Sequence, residues 1–221
     1  MNIKIILTGA TGFVGEGVLF ACLADSHVSQ ILMVNRRPYQ GAKHPKLQEC
    51  VVPDFFDLEN IRCDLSGYDA CFYCAGISSS GIKENDYTRV TYDTTLHFAG
   101  HLLSVNPDMV FSHISGNLTD SSEKGKIMWA RVKGKTENAL MLLPFKQVYN
   151  FRPGFMEPTP GQMHVKTYYK IIGQLYPVLQ WLFPNQVSTM QQVGIAMINS
   201  VLKGYTKTIL EIKDIKLLAN Q

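Results

Sequence analysis

The chain has 221 residues, of which 46% are hydrophobic, 18% charged and 10% aromatic, enough length for one full core and too apolar a composition for a disordered segment. Its 21 Lys and Arg against 18 Asp and Glu leave a formal charge of +3; the basic residues are scattered, which excludes an extended phosphate-tracking stripe and argues against nucleic acid as a partner. An odd count of five cysteines, with no charged leader or apolar targeting run ahead of Ile3, predicts a cytoplasmic protein with reduced thiols.

In chain order, β-rich runs at residues 3–7, 30–35, 49–53, 70–74, 109–114 and 147–151 alternate with helical patterns at 13–24, 85–104 and 126–143. Most of the runs are apolar throughout, as strands covered on both faces of a parallel sheet are. Alternating strands and helices with short connections predict a doubly wound α/β parallel sheet with helices on both faces. After Phe151 the texture changes to Arg152-Pro153-Gly154 and Glu157-Pro158-Thr159-Pro160-Gly161, followed by helical stretches near 165–183 and 189–203. The sheet is therefore expected to end near residue 155: residues 1–155 form the sheet domain, and 156–221 a small helical C-terminal cap on the substrate side.

No run reaches the roughly 18 consecutive apolar residues that a membrane-spanning helix needs. The nearest, residues 168–183, is interrupted by Lys170, Gly173, Gln174, Pro177 and Gln180. Its aromatic density fits a helix over the sheet edge, a pocket for an apolar substrate or a homodimer surface; a membrane surface is the weakest reading, with only Lys166 and Lys170 nearby.

Where the first strand gives way to the first helix stands Thr8-Gly9-Ala10-Thr11-Gly12-Phe13-Val14-Gly15. Glycines three apart permit a tight turn, let backbone N–H groups approach a pyrophosphate and let helix pack close to strand. The second strand ends Asn35-Arg36-Arg37, where a carboxylate would hold a ribose 2′-hydroxyl; two planar guanidiniums suit a 2′-phosphate instead, so NADP(H) is favoured, with NAD(H) as the alternative. Asp54 and Phe55 follow the third strand and fit an adenine edge and face. Cys74-Ala75-Gly76 closes the fourth, where small residues admit the nicotinamide-side ribose against backbone.

These segments, with Val132-Lys133-Gly134-Lys135-Thr136-Glu137 and Phe151-Arg152-Pro153-Gly154, stand in one order that resembles the atypical and extended short-chain dehydrogenase/reductase superfamily. The branch it most resembles is that of NAD(P)-binding, NmrA-like and oxidoreductase-like Tat-interacting proteins. The resemblance implies a Rossmann fold with the cofactor on Gly9, Thr11, Gly12, Phe13, Val14, Gly15, Arg36, Arg37, Asp54, Phe55, Cys74, Ala75, Gly76 and Lys133. In catalytic members a Tyr four residues before a helical Lys is the acid/base, the Lys binds the nicotinamide ribose, and a Ser after the fifth strand orients the substrate carbonyl. Here the Lys is Lys133, the Ser is Ser115 with Ser112 as second choice, and the Tyr position is Trp129.

An indole N–H is a donor without an accessible titration, so Trp129 cannot cycle a proton; it could stack on a nicotinamide or block the pocket. His113, Tyr87 and Tyr92 are the candidate substitutes. Two functional classes follow: an NADP(H)-dependent oxidoreductase or isomerase on a small apolar carbonyl or alcohol, or a non-catalytic NADP(H)-binding regulator or scaffold. Cys71-x-x-Cys74 is expected to be structural, since residues three apart on a strand face opposite ways. His97 and His101 are expected on a solvated helix face, and no metal site is expected.

Overall fold

The computed structural model describes residues 2–58, 61–165 and 175–221. Strands β1 (Ile3–Thr8), β2 (Val28–Asn35), β3 (Leu47–Val51), β4 (Ala70–Tyr73), β5 (Val110–Ile114) and β6 (Gln147–Phe151) arise close to the expected places. With β9 (Ile209–Leu210) they form a seven-stranded, all-parallel sheet in the order β3-β2-β1-β4-β5-β6-β9. The chain runs outward from β1 in one direction and returns to build the other half through β4, which creates a crevice at the carboxyl ends of β1 and β4.

Alternation along β1 explains both cores. Ile3, Ile5 and Leu7 face one side, where α1 (Phe13–Ala24), α6 (Met190–Leu202) and α7 (Ile212–Ala219) cover them with Val18, Leu19, Val193, Met197 and Ile215. Ile6 faces the other side, against Phe98, Ala99 and Leu102 of α3 (Thr94–Val105) and Leu140 of α4 (Met128–Met141). The region expected as one helix from 85 to 104 is α2 (Glu84–Thr88), a π-helical turn (Arg89–Asp93) and α3.

The C-terminal third corrects the expected end of the sheet near residue 155. Strand β9 pairs with β6, aligning Asn150 with Ile209 and Phe151 with Leu210. Helix α6 packs on α1 so closely that a β-carbon on Gly194 would fall 2.3 Å from that of Ala21. These elements extend the sheet and one helical layer, so much of residues 156–221 is framework rather than a cap. A separate two-stranded parallel pair, β7 (Phe155–Glu157) with β8 (Val187–Thr189), lies outside the main sheet.

Of the aromatic-rich segment, residues 166–174 lie outside the described residues. The remainder forms α5 (Tyr176–Leu182), on which Trp181 is 81% exposed. No helix among the described residues is long and apolar enough to cross a membrane.

The expectation of five reduced thiols is also corrected. Cys50 at the buried end of β3 is joined to Cys63 by a disulfide, because the loop after β3 folds back across that strand. Cys22, Cys71 and Cys74 are free. Cys71 belongs to the core beneath α3 and α4, while Cys74 packs against the opposite one, as their spacing on β4 requires.

Candidate functional site

The turn after β1 is built by close approach of backbone to backbone. Gly9 has φ of +72°, and a β-carbon there would sit 2.7 Å from the Cys74 carbonyl; one on Gly15 would sit 2.1 Å from the Gly9 oxygen. Gly12 N–H donates to the Gly9 carbonyl (2.9 Å), and Gly12 caps α1. The Thr8 hydroxyl oxygen accepts from the N–H groups of Cys74 and Ala75, both at 3.1 Å, pinning the ends of β1 and β4 together.

Above this turn, three cavities meet along the carboxyl edge of the sheet. The first, about 340 Å³, is lined by Arg36, Asp54, Phe55, Phe56 and Arg89 among others. The second, about 480 Å³, is lined by Gly9, Thr11, Gly12, Arg36 and Arg37. The third, about 540 Å³, contains Phe13, Val14, Tyr87, His113, Ser115, Lys133 and His164. Ala75 and Gly76 border all three, which makes one groove of them. A β-carbon on Gly76 would meet nothing within 4 Å, so the missing side chain leaves open groove.

The structure thus brings the cofactor residues named from sequence onto one groove, apart from Gly15. That residue lies beneath it and sets the spacing of helix and strand. Asp54 Oδ1 accepts from the Phe56 N–H at 2.9 Å, and the buried Phe55 ring stacks on Phe98 at 5.0 Å, which fixes the loop after β3.

At the far end, the Lys133 ammonium donates to the Ser115 carbonyl at 2.9 Å. Burial lowers Lys133 to about 8, opposed by the nearby Glu137 carboxylate. The Ser115 hydroxyl lies 3.0 Å from the Thr119 hydroxyl, which itself donates to the Gly116 carbonyl at 2.7 Å. Thr119 has one proton, so Ser115 is the donor between them. Ser112 is wholly buried within β5 and stands outside the cavity lining.

Trp129 and Lys133 share a helix face: the two side chains lie 3.8 and 3.9 Å from where a Gly116 β-carbon would be. Only Lys133 of the pair lines the cavity.

Of the three residues named from sequence as proton carriers, Tyr92 turns away to pack under the Lys135 ammonium, 4.3 Å from its ring centroid. Tyr87 reaches the cavity but is buried, which pushes its phenol above the ordinary value. His113 also reaches it. Burial, and then the Lys133 charge, hold its imidazole down at about 3, against a 3.1 Å contact from Nδ1 to Asn150 Oδ1 that acts the other way.

Sequence reasoning missed several groove residues. Arg89, 5.6 Å from the Phe56 ring centroid, reaches the first cavity while Thr91 and Thr95 reach the third, because the π-helical turn shifts the facing of successive turns. His164 arrives from the connector after β7. The buried ion pair of Glu137 with Arg152, whose Nε donates at 3.0 Å, ties α4 to the end of β6 and thereby holds Lys133 one turn earlier. Both residues belong to motifs visible in the sequence, but their pairing was not.

No family model matches the chain. The protein fmp52, mitochondrial, of Emericella nidulans is 25% identical over 213 residues, covering 90% of this chain and 88% of that protein. Among solved structures, the Bordetella bronchiseptica enzyme WbmF in complex with NAD+ superimposes with a TM-score of 0.65 at 14% identity, over 99% of this chain and 77% of that one. Helicobacter pylori ADP-L-glycero-D-manno-heptose-6-epimerase gives 0.67 at 13% identity, over 100% and 81%. A short chain dehydrogenase family protein of Francisella tularensis gives 0.63 at 13%, over 92% and 93%. Its sheet order, its glycine turn and these superpositions give the chain a Rossmann-like α/β fold.

Proposed function

We propose that the chain binds a nicotinamide dinucleotide along the groove and acts as an oxidoreductase or isomerase on a small, apolar carbonyl or alcohol, with NADP(H) preferred over NAD(H). The observation that carries this reading is the continuity of the three cavities past Gly76, from Arg36 at one end to Lys133 and Ser115 at the other. The bound dinucleotide would supply or accept a hydride. The glycine turn and the start of α1 would hold its pyrophosphate, Arg36 and Arg37 its 2′-phosphate, Asp54 and Phe55 its adenine, and Lys133 the nicotinamide-side ribose. Ser115 would orient the carbonyl.

Trp129 on its own favours a binding protein, whereas Ser115, Tyr87 and Lys133 around one cavity favour an enzyme. Membership of the NmrA-like and Tat-interacting branch rests on the sequence motifs, and a cytoplasmic setting and homodimer formation are further parts of the proposal.

Calorimetric titration with NADPH and NADH, repeated on Arg36→Ala, tests the reading. The expected result is micromolar NADPH binding that weakens about tenfold in the variant, roughly 1.4 kcal/mol, with NADH affinity unchanged. Silence with both nucleotides would overturn dinucleotide binding, and equal losses for both would overturn the preference.

A further inference from the structure

Glu16 lies in the first turn of α1 and is wholly buried. A buried carboxylate needs partners, and it finds them in the connector after β7. Its Oε1 accepts from the Met163 N–H at 2.9 Å and its Oε2 from the His164 N–H at 2.8 Å. The same Oε2 lies 3.2 Å from Nδ1 of the His164 ring. Gln162 adds a second hook, donating from Nε2 to the Phe13 carbonyl at 2.8 Å. The connector is thus tied across the start of α1, and it carries one imidazole into the lining of the cavity that Ser115 and Lys133 also border.

The pairing sets the chemistry of that imidazole. A carboxylate oxygen only accepts, so its proximity favours the neutral tautomer with the proton on Nδ1 and Nε2 available. A carboxylate fixing the tautomer and orientation of a histidine is the arrangement by which a third group prepares a general acid or base. The His164 side chain is 38% exposed, so it can exchange protons with water, which the buried His113 and Tyr87 do less readily.

We propose that His164, positioned by Glu16, is the proton donor and acceptor at the substrate oxygen, in the role that Trp129 cannot fill. This rests on the dinucleotide reading above. In carbonyl reduction a bound dinucleotide would supply the hydride that the carbonyl carbon receives. The protonated ring gives its Nε2 proton to the carbonyl oxygen, whose π electron pair becomes the new O–H bond. The imidazole is left neutral and regains a proton from water at its exposed edge. Oxidation of the alcohol runs the same transfers backward, Nε2 taking the hydroxyl proton.

The test is NMR of the full chain labelled with ¹⁵N in its histidines, His164 being assigned by its loss in His164→Gln. The expected result is a neutral His164 with its proton on Nδ1 and an Nε2 resonance that moves when NADP+ is added. His164→Gln should keep NADP+ affinity within threefold by calorimetry and lower kcat at least 100-fold, in the range of general acid–base catalysis, on a carbonyl that the wild type reduces. A neutral ring with its proton on Nε2, an Nε2 resonance that ignores NADP+ in a wild type that binds it, or turnover by His164→Gln within threefold of wild type would each overturn the proposal. Calorimetry that shows no NADP+ binding by wild type would instead remove the reading on which it rests, and the proposal with it.

Discussion

The Lys133 ammonium donates a 2.9 Å hydrogen bond to the Ser115 carbonyl, so the middle of α4 is fastened to the end of β5 where both border one cavity. The bond does not fully offset the cost of holding that charge out of water, since burial leaves Lys133 titrating at about 8.

Lys133→Met should therefore raise stability at pH 7 while weakening dinucleotide binding. The folded pKa lies below the unfolded one, so between about pH 8 and pH 10.5 the unfolded chain binds more protons and wild-type stability rises with pH. The gain in the variant, on the order of 1–3 kcal/mol at pH 7, should shrink across that window. Urea denaturation of both proteins at pH 7 and pH 10 measures it; a variant less stable than wild type at pH 7 contradicts the argument.

His113 gives the opposite flank. With a folded pKa of about 3 against 6.5, the unfolded chain binds the extra proton as pH falls from 6.5 towards 3, and stability is lost by up to about 1.4 kcal/mol per pH unit. His113→Gln should show a shallower acid slope in the same window, read from denaturation midpoints at pH 7, 5.5 and 4.

Gly76 and Gly15 separate binding from folding. Gly76→Val places a side chain into open groove, so thermal stability should stay within about 1 kcal/mol of wild type, as for other surface-facing changes, while NADPH binding is lost. Gly15→Ala drives a methyl group to 2.1 Å from the Gly9 oxygen. It should cost several kcal/mol, on the order of an overpacked core or more. Thermal melts with and without NADPH distinguish the two.

The disulfide bears on the end of the groove that Asp54 and Phe55 line. Cys50 and Cys63 are 13 residues apart and enclose Asp54, Phe55 and Phe56, so reduction should cost about 3 kcal/mol by loop entropy and weaken NADPH binding by loosening that loop. Thiol titration of the unfolded, unreduced chain should find three reactive cysteines, and finding five would show that the bond is not formed.

The readable parts of the groove were those whose physics is local. The glycine turn announces itself because only glycine tolerates backbone approaches of the kind seen at Gly9 and Gly15, and Arg36 and Arg37 stand next to a strand end that the apolar run makes visible. Helix α7 was legible but unread: Glu211 and Asp214 form a capping box ahead of Ile215 and Leu218. Strand β9 was not legible, since two residues carry no period and its pairing with β6 exists only in space.

The same division holds for the chemistry. By itself the sequence determined the alternating α/β fold and the place of the glycine turn, because each depends on neighbours within a few residues. Only the tertiary structure decided that Cys50 meets Cys63, that Glu137 holds Arg152, and that Glu16 draws His164 to the cavity that Lys133 also lines. Those contacts join residues 13 to 148 positions apart. Buried charge and geometry select such partners only after the sheet has brought the strand ends together.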